Sequence, residues 1–316
     1  MTKFSGRGAL FSGFALLRRE PRLLLSLGAV YLLSGVIPQA FAYWAVWPDL
    51  MLALDAASRP ALAGAGADRV GELEQLQARM LPFQLIAIPL SIAGMIVIYG
   101  AVYRAILEPD ARAFGYLRVG RQEGAMFLTS AVAIFLLIVA VLAAALVIVI
   151  LTMAARMATN DGGFIGLLTF GLILVAVILI GWCGIRLSLA LPMAFSERRF
   201  RLFESWALTR GHGWKILGVQ LAMVAIIIGI ELAVALVLIL LVIAIGIGAS
   251  GHADAIARSM TALMAKGAQT WVPQFAVAYM ILSLVGSVLL AAFYALIIAP
   301  LADIYRQITA DAVEIV

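Results

Sequence analysis

A single cysteine, Cys183, and only two histidines, His212 and His252, occur in a chain of 316 residues. Soft metal ligands are therefore too few for a structural zinc site, an iron–sulfur cluster or a disulfide framework. Charge is scarce as well: 12% of the residues are Asp, Glu, Lys or Arg, against roughly 25% in soluble domains. Signatures of catalysis are missing too. There is no phosphate-cradling GxxxxGK[ST], no HExxH and no GxSxG, and no cluster of histidines and acids lies within the apolar stretches. The chain is accordingly read as non-enzymatic, with no catalytic residue, no metal site and no cofactor. Its formal charge of +5 does not point to nucleic acid, because the basic residues form no single block and flank apolar runs. Attraction to anionic lipid headgroups accounts for it.

What the chain has is apolar surface: 65% of its residues are hydrophobic. A helix needs roughly 20 apolar residues to cross a hydrocarbon core of about 30 Å. Six stretches qualify, from Leu23 to Trp44, Leu81 to Tyr103, Met126 to Met153, Phe164 to Ile185, Ile216 to Ile247 and Phe275 to Ala299. The expected fold is all-α, a polytopic membrane helical bundle of about six transmembrane helices forming one domain over residues 1–316. The fifth stretch exceeds a perpendicular span, so it must tilt, protrude or break near Gly246 and Gly248. Cys183, beside Trp182, reads as a small buried hydrophobe.

Lys and Arg are retained on the cytoplasmic side of a membrane, and alternate segments agree. Lys3, Arg7, Arg18, Arg19 and Arg22 precede the first span; Arg104, Arg112, Arg118 and Arg121 follow the second; Arg198, Arg199, Arg201, Arg210 and Lys215 follow the fourth. The intervening segments are poorer in basic residues. A multi-pass protein of a bacterial inner membrane, with both termini cytoplasmic, is the expectation. The basic start, the apolar stretch and Ala40-Phe41-Ala42 together imitate a signal peptide, and cleavage would leave five spans. The length of the basic segment and the spans that follow favour a signal anchor instead. In the external loop, residues 48–80, the stretch Asp68 to Arg79 carries Val70, Leu73 and Leu76 roughly on one side, which predicts a short helix on the membrane face.

The segments entering the odd-numbered spans share a pattern. Phe14 precedes Arg18, Phe114 precedes Arg118 and Trp206 precedes Arg210, each by four residues. On a helix that spacing places ring and guanidinium on one face, suited to an interfacial elbow. The even-numbered spans end near Pro109, Pro192 and Pro300, where proline can stop or kink a helix. These marks suggest three parallel two-helix repeats, 1–109, 110–195 and 196–316, with cytoplasmic interfacial helices. The alternative is that any inner-membrane hairpin carries aromatics and arginines at its ends.

Pro192 followed by a charged elbow, and Phe203-Glu204-Ser205-Trp206-Ala207-Leu208-Thr209-Arg210-Gly211-His212-Gly213-Trp214-Lys215 leading into the fifth span, resemble uncharacterised bacterial polytopic inner-membrane proteins. Among these are the membrane domain of glycerophosphodiester phosphodiesterases and the YciC-like proteins. In the phosphodiesterases catalysis belongs to a separate soluble domain, so the resemblance implies a membrane module without hydrolase chemistry.

An acid in mid-membrane is a functional candidate by default, and Glu231 is that residue. Gln220 lies eleven residues earlier, about three turns, and shares its face. Both are expected to face the bundle interior, either as an ion-coupling or proton-relay site of a secondary transporter or as a hydrogen-bonded packing lock. Arg104 and Arg186, near the ends of the second and fourth spans, can snorkel to headgroups. Alternatively they converge with Arg118 and Arg210 on an anion or lipid-phosphate pocket, with Trp206, Trp214 and Tyr305 as belt residues around it. Small residues at Gly162 and Gly166, and at Ser283, Ser287 and Ala291, predict close helix contact. Expected partners are membrane lipids, and a protein partner or a second copy of the chain. The leading expectation is a lipid-binding protein or a membrane scaffold; the alternative is a transporter that uses Glu231.

Overall fold

The apolar runs become long helices in the computed structural model, which describes residues 5–47, 66–159, 161–250 and 276–313. His252 and the segment 48–65 of the external loop lie outside the described residues. In chain order the elements are α1 (Gly6–Arg19), α2 (Pro21–Tyr31), a π-turn (Leu32–Val36), α3 (Ile37–Ala45), α4 (Gly66–Leu107), a 3-10 turn (Ala113–Tyr116), α5 (Arg121–Ala158), α6 (Gly162–Leu187), α7 (Ala190–Glu197), α8 (Glu204–Leu208), α9 (Gly213–Ser250) and α10 (Ala276–Val313). There is no strand among the described residues. Among the described residues six segments are long and apolar enough to cross a membrane, and they overlap the six runs read from sequence. The fold is an all-α helical bundle, and the chain is a multi-pass membrane protein.

Helix boundaries follow local chemistry. Pro21 opens α2, where a missing amide hydrogen costs nothing. Asp161 caps α6, its Oδ1 accepting from the backbone N–H of Gly163 at 2.9 Å and of Phe164 at 3.3 Å. The three exit prolines have three fates. Pro109 lies just beyond the end of α4, Pro192 sits in the first turn of α7, and Pro300 is carried inside α10.

Several sequence-based expectations are revised. The short helix expected over Asp68 to Arg79 is not separate; it forms the first turns of α4, whose 42 residues include Pro82 and Pro89. At 1.5 Å per residue α4 is about 63 Å long, twice the hydrocarbon thickness. The fifth span does not break at Gly246 or Gly248 but continues as one helix to Ser250. Phe14 and Arg18 do share a helix, α1. Phe114 and Arg118 do not: Phe114, Gly115 and Tyr116 have φ of 52°, 65° and 65°, a left-handed turn that no regular helix contains. Trp206 lies in the five-residue α8, and Arg210 falls beyond its end. Cys183 is exposed, not buried.

Two compact units make up the chain, one of Met1–Arg18, Tyr99–Ala222 and Leu296–Val316, the other of Arg19–Ile98 and Met223–Ala295. In the first, Ala9 of α1, Ile185 of α6, Leu189 and Met193 of α7, Ile216 and Val219 of α9, and Ile304, Tyr305 and Ile308 of α10 form a buried cluster. Tyr305 is therefore a core residue and not a belt residue. The N–H of Ser5 donates to Gln307 Oε1 at 2.8 Å, and Gln307 Nε2 donates to Asp303 Oδ2 at 2.6 Å. These bonds seat the start of the chain on α10.

The second unit is organised around the π-turn. Pro38 has no N–H for the carbonyl four residues back, which is that of Ser34. The ladder shifts by one, Ile37 N–H reaching Leu32 O, and Ser91 Oγ of α4 donates to the freed Ser34 carbonyl at 3.0 Å. A side-chain hydroxyl is the expected remedy for a carbonyl freed inside a membrane. Gly94, one turn after Ser91, makes the approach possible, since a Cβ there would fall 1.8 Å from Ser34 Oγ. Ser287 and Ala291 are also buried in this unit, and the neighbouring Val288 lies against Gly28, where a Cβ would meet its Cγ2 at 2.9 Å. That small-residue stripe is closely packed, as expected.

Candidate functional site

Four arginines are the sequence-derived candidates for contact with phosphate, and the structure gives them two different environments. Arg104, at the end of α4, is 1% exposed. Its Nη1 donates to the carbonyl of Tyr116, and its Nη2 forms an ion pair with Glu123 and donates to Gln122 Oε1 at 3.2 Å. The left-handed turn explains the first bond, because it points the Tyr116 carbonyl back at the helix the chain has just left. Tyr116 is itself anchored, 3% exposed, with its hydroxyl donating to the carbonyl of Pro109 at 3.2 Å. From α7, Phe195 places its ring 5.4 Å from the guanidinium, a cation–π contact in a water-poor setting.

Glu123 belongs to the first turn of α5 and has two tasks. Its Oε2 accepts the N–H of Gly120, capping the helix at 2.9 Å, while Oε1 meets Arg104. Gly100 leaves the necessary room, since a Cβ there would lie 2.9 Å from Glu123 Oε1. Gln122 Nε2 extends the network to Glu108 Oε1 at 2.8 Å. In this constellation both Nη atoms of Arg104 and both carboxylate oxygens of Glu123 are engaged within the protein, and the Nε of Arg104 is buried without a partner. Chemically it is a lock between the end of the second span and the start of the third.

Arg186, at the end of α6, repeats the device with other parts. Its Nη1 donates to the carbonyl of Thr209 at 2.9 Å, and its guanidinium lies 5.0 Å from the ring of Trp182 and 5.8 Å from that of Trp206. The backbone carbonyl of Arg186 in turn accepts from Ser205 Oγ at 3.0 Å and Thr209 Oγ1 at 3.2 Å. Each of these two arginines thus fastens the loop that follows its own span.

Arg118 and Arg210 are exposed. Beside them in the chain are exposed aromatics, Phe114 at 88% near Arg118, and Trp206 at 45% and Trp214 at 76% around Arg210. The four arginines thus divide into a bonded pair, Arg104 buried and Arg186 half-buried, and an exposed pair.

Gln220 is half-buried and Glu231 is exposed, both on α9. The expectation that Glu231 faces the bundle interior is not met. Ile216, Val219, Met223 and Ile227 mark the buried stripe of α9, and Glu231 continues it by one turn. From Glu231 to Val237, however, every residue is exposed. Glu231 has the right rotational position, and nothing among the described residues covers it.

Sequence reasoning missed Glu123, Gln122 and the Ser34–Ser91 contact. Glu123 could have been flagged as the first-turn acid of a membrane helix whose predecessor ends in an arginine; Ser34 could have been flagged as the residue four before Pro38. Among the described residues no group of three or more histidine, cysteine or acidic side chains could hold a metal ion. No protein-family model, no curated protein and no solved structure matches the chain.

Proposed function

We propose that this chain is a non-enzymatic lipid-binding module of a bacterial inner membrane, with the unit that holds both termini facing the cytoplasm. The observation that carries the reading is the division of the arginines. Arg104 and Arg186 are held by internal carbonyls, a carboxylate and aromatic rings, so they stiffen the elbows. Arg118 and Arg210 remain exposed beside Phe114, Trp206 and Trp214. Exposed guanidinium and exposed ring within a few residues of each other in the chain suit the boundary where phosphates meet acyl chains. A juxtamembrane basic side chain contributes about 1 kcal/mol towards an anionic leaflet.

The test is lipid retention by the purified full-length chain, measured by native mass spectrometry in detergent with phosphatidylglycerol and phosphatidylcholine in competition. The wild type is expected to keep phosphatidylglycerol preferentially, and Arg118→Gln with Arg210→Gln should abolish the preference while leaving the melting temperature within a degree or two. Equal retention of the two lipids by the wild type would end the proposal.

A further inference from the structure

Away from the lock, the hairpin of α5 and α6 carries a second feature. Where the two helices meet at the Thr159 turn lies a groove of about 650 Å3, with Arg156 and Thr159 at its mouth and Gly162, Gly166, Phe170 and Ile173 along its length. Among the described residues the close helix packing expected at Gly162 and Gly166 is not seen: a Cβ on either would meet no other atom of theirs within 4 Å. These glycines hollow out the wall of α6.

From Gly162 to Ile173 the helix rises about 17 Å, close to half of a hydrocarbon core of about 30 Å, which is the depth of one leaflet. The groove, about 650 Å3 and open to the surface, has room along that length for acyl chains.

Both signs of charge stand near the groove. Arg156, which lines it, is exposed in the last turn of α5, and Asp161, next in the chain to the lining residue Gly162, is also exposed. Its Oδ1 caps α6, and the remaining carboxylate oxygen is left for a cation. Thr159 Oγ1 accepts the N–H of Asp161 at 3.1 Å and keeps its own proton to donate.

We propose that this groove binds one phospholipid with a zwitterionic amine headgroup, the phosphate on Arg156 and Thr159, the ammonium on Asp161 and the acyl chains along Gly162, Gly166, Phe170 and Ile173. This requires only that α5 and α6 cross the bilayer, so it stands or falls separately from the headgroup role of Arg118 and Arg210.

The test uses full-length protein reconstituted with trace phosphatidylethanolamine carrying a diazirine midway along one acyl chain. After irradiation, labelled peptides are mapped by mass spectrometry. Residues 156–173 should carry at least tenfold more label than 131–148 of α5. Gly166→Leu fills the groove and should lower that label about tenfold with an unchanged melting temperature, since its side chain enters open space. The same probe on phosphatidylglycerol should label about tenfold less. Arg156→Gln, a change at an exposed position, should also lower the phosphatidylethanolamine label about tenfold, and it decides the matter if Gly166→Leu does not fold. Uniform labelling, label indifferent to Gly166→Leu or Arg156→Gln, or equal labelling by the two lipids would overturn the proposal. So would a wild-type dimer that Gly166→Leu converts to a monomer, since the groove would then belong to a second copy.

Discussion

Helix α5 passes through two regions that obey different rules. In its first three turns Gln122, Glu123, Met126 and Thr129 are buried, and the polar ones are hydrogen-bonded. From Ala131 to Ala158 no residue of α5 is buried, and in its partner α6 only Ile185 is. Phe135, Leu142 and Leu146 of α5 are each more than half exposed, at 64%, 63% and 61%. The contrast does not come from hydrophobicity, which is greatest where packing is least. Lipid tails are as apolar as leucine, so burying leucine against leucine gains little inside a bilayer. Helices hold together there through polar groups and close small-residue contacts. The lock around Arg104 has both; the α5–α6 hairpin has glycines facing open space.

The comparison breaks first at Glu123. Glu123→Ala leaves Arg104 buried without its carboxylate and should cost about 3–5 kcal/mol, read as a large drop in melting temperature or in the denaturing mole fraction of SDS. Arg104→Met combined with Glu123→Leu should recover most of that loss, because neither charge is then stranded. If the single change is as mild as the double, the pair contributes no stability.

Glycine substitutions sharpen the contrast next. Gly100→Ala pushes a methyl group against a carboxylate that Arg104 pins in place, and should cost about 1–3 kcal/mol. Gly171→Ala, on α6, meets nothing within 4 Å and should be neutral or stabilising by up to about 1 kcal/mol. Equal effects in the same unfolding assay would mean that the two regions are packed alike.

Smaller effects are expected at single hydrogen bonds and at lipid-facing apolar positions. Ser91→Ala removes the donor to the Ser34 carbonyl and should cost about 1 kcal/mol, with faster hydrogen exchange around the π-turn as a local readout. Phe135→Leu exchanges one lipid-facing apolar side chain for another and should stay within about 0.5 kcal/mol of the wild type. A larger loss would show that the hairpin face is covered by something besides lipid.

The spans were legible in the sequence because a run of some twenty apolar residues has few other uses. Their ends were less so. Nothing in Leu81 or Pro82 announces that α4 begins as early as Gly66, since helix formers such as Glu72, Leu73 and Glu74 suit a separate interfacial helix equally well. The expectation that Gln220 and Glu231 both face the bundle interior failed at Glu231, which is exposed, because rotation alone does not reveal where along α9 its neighbours stop. Arg118 and Arg210 are exposed. The burial of Arg104 was not legible, because its partners lie 12 and 19 residues away across a loop. No local spacing records a pair closed by a left-handed turn, and a Phe or Tyr at positive φ has no compositional mark. The Gly162 and Gly166 spacing was visible, but whether a small-residue stripe faces a helix or a void is a tertiary fact.

The bond between the Ser5 amide and Gln307 joins residues 302 positions apart, and that separation sets an order of events during synthesis. At roughly 5–20 residues per second, α1 leaves the ribosome about 15–60 s before the stretch of α10 that receives it. During that interval Ala9 and Leu16, buried in the finished protein at 0% and 7% exposure, have no Ile304 or Leu296 to cover them. α1 is therefore seated only after the stretch of α10 that carries Gln307 has been made.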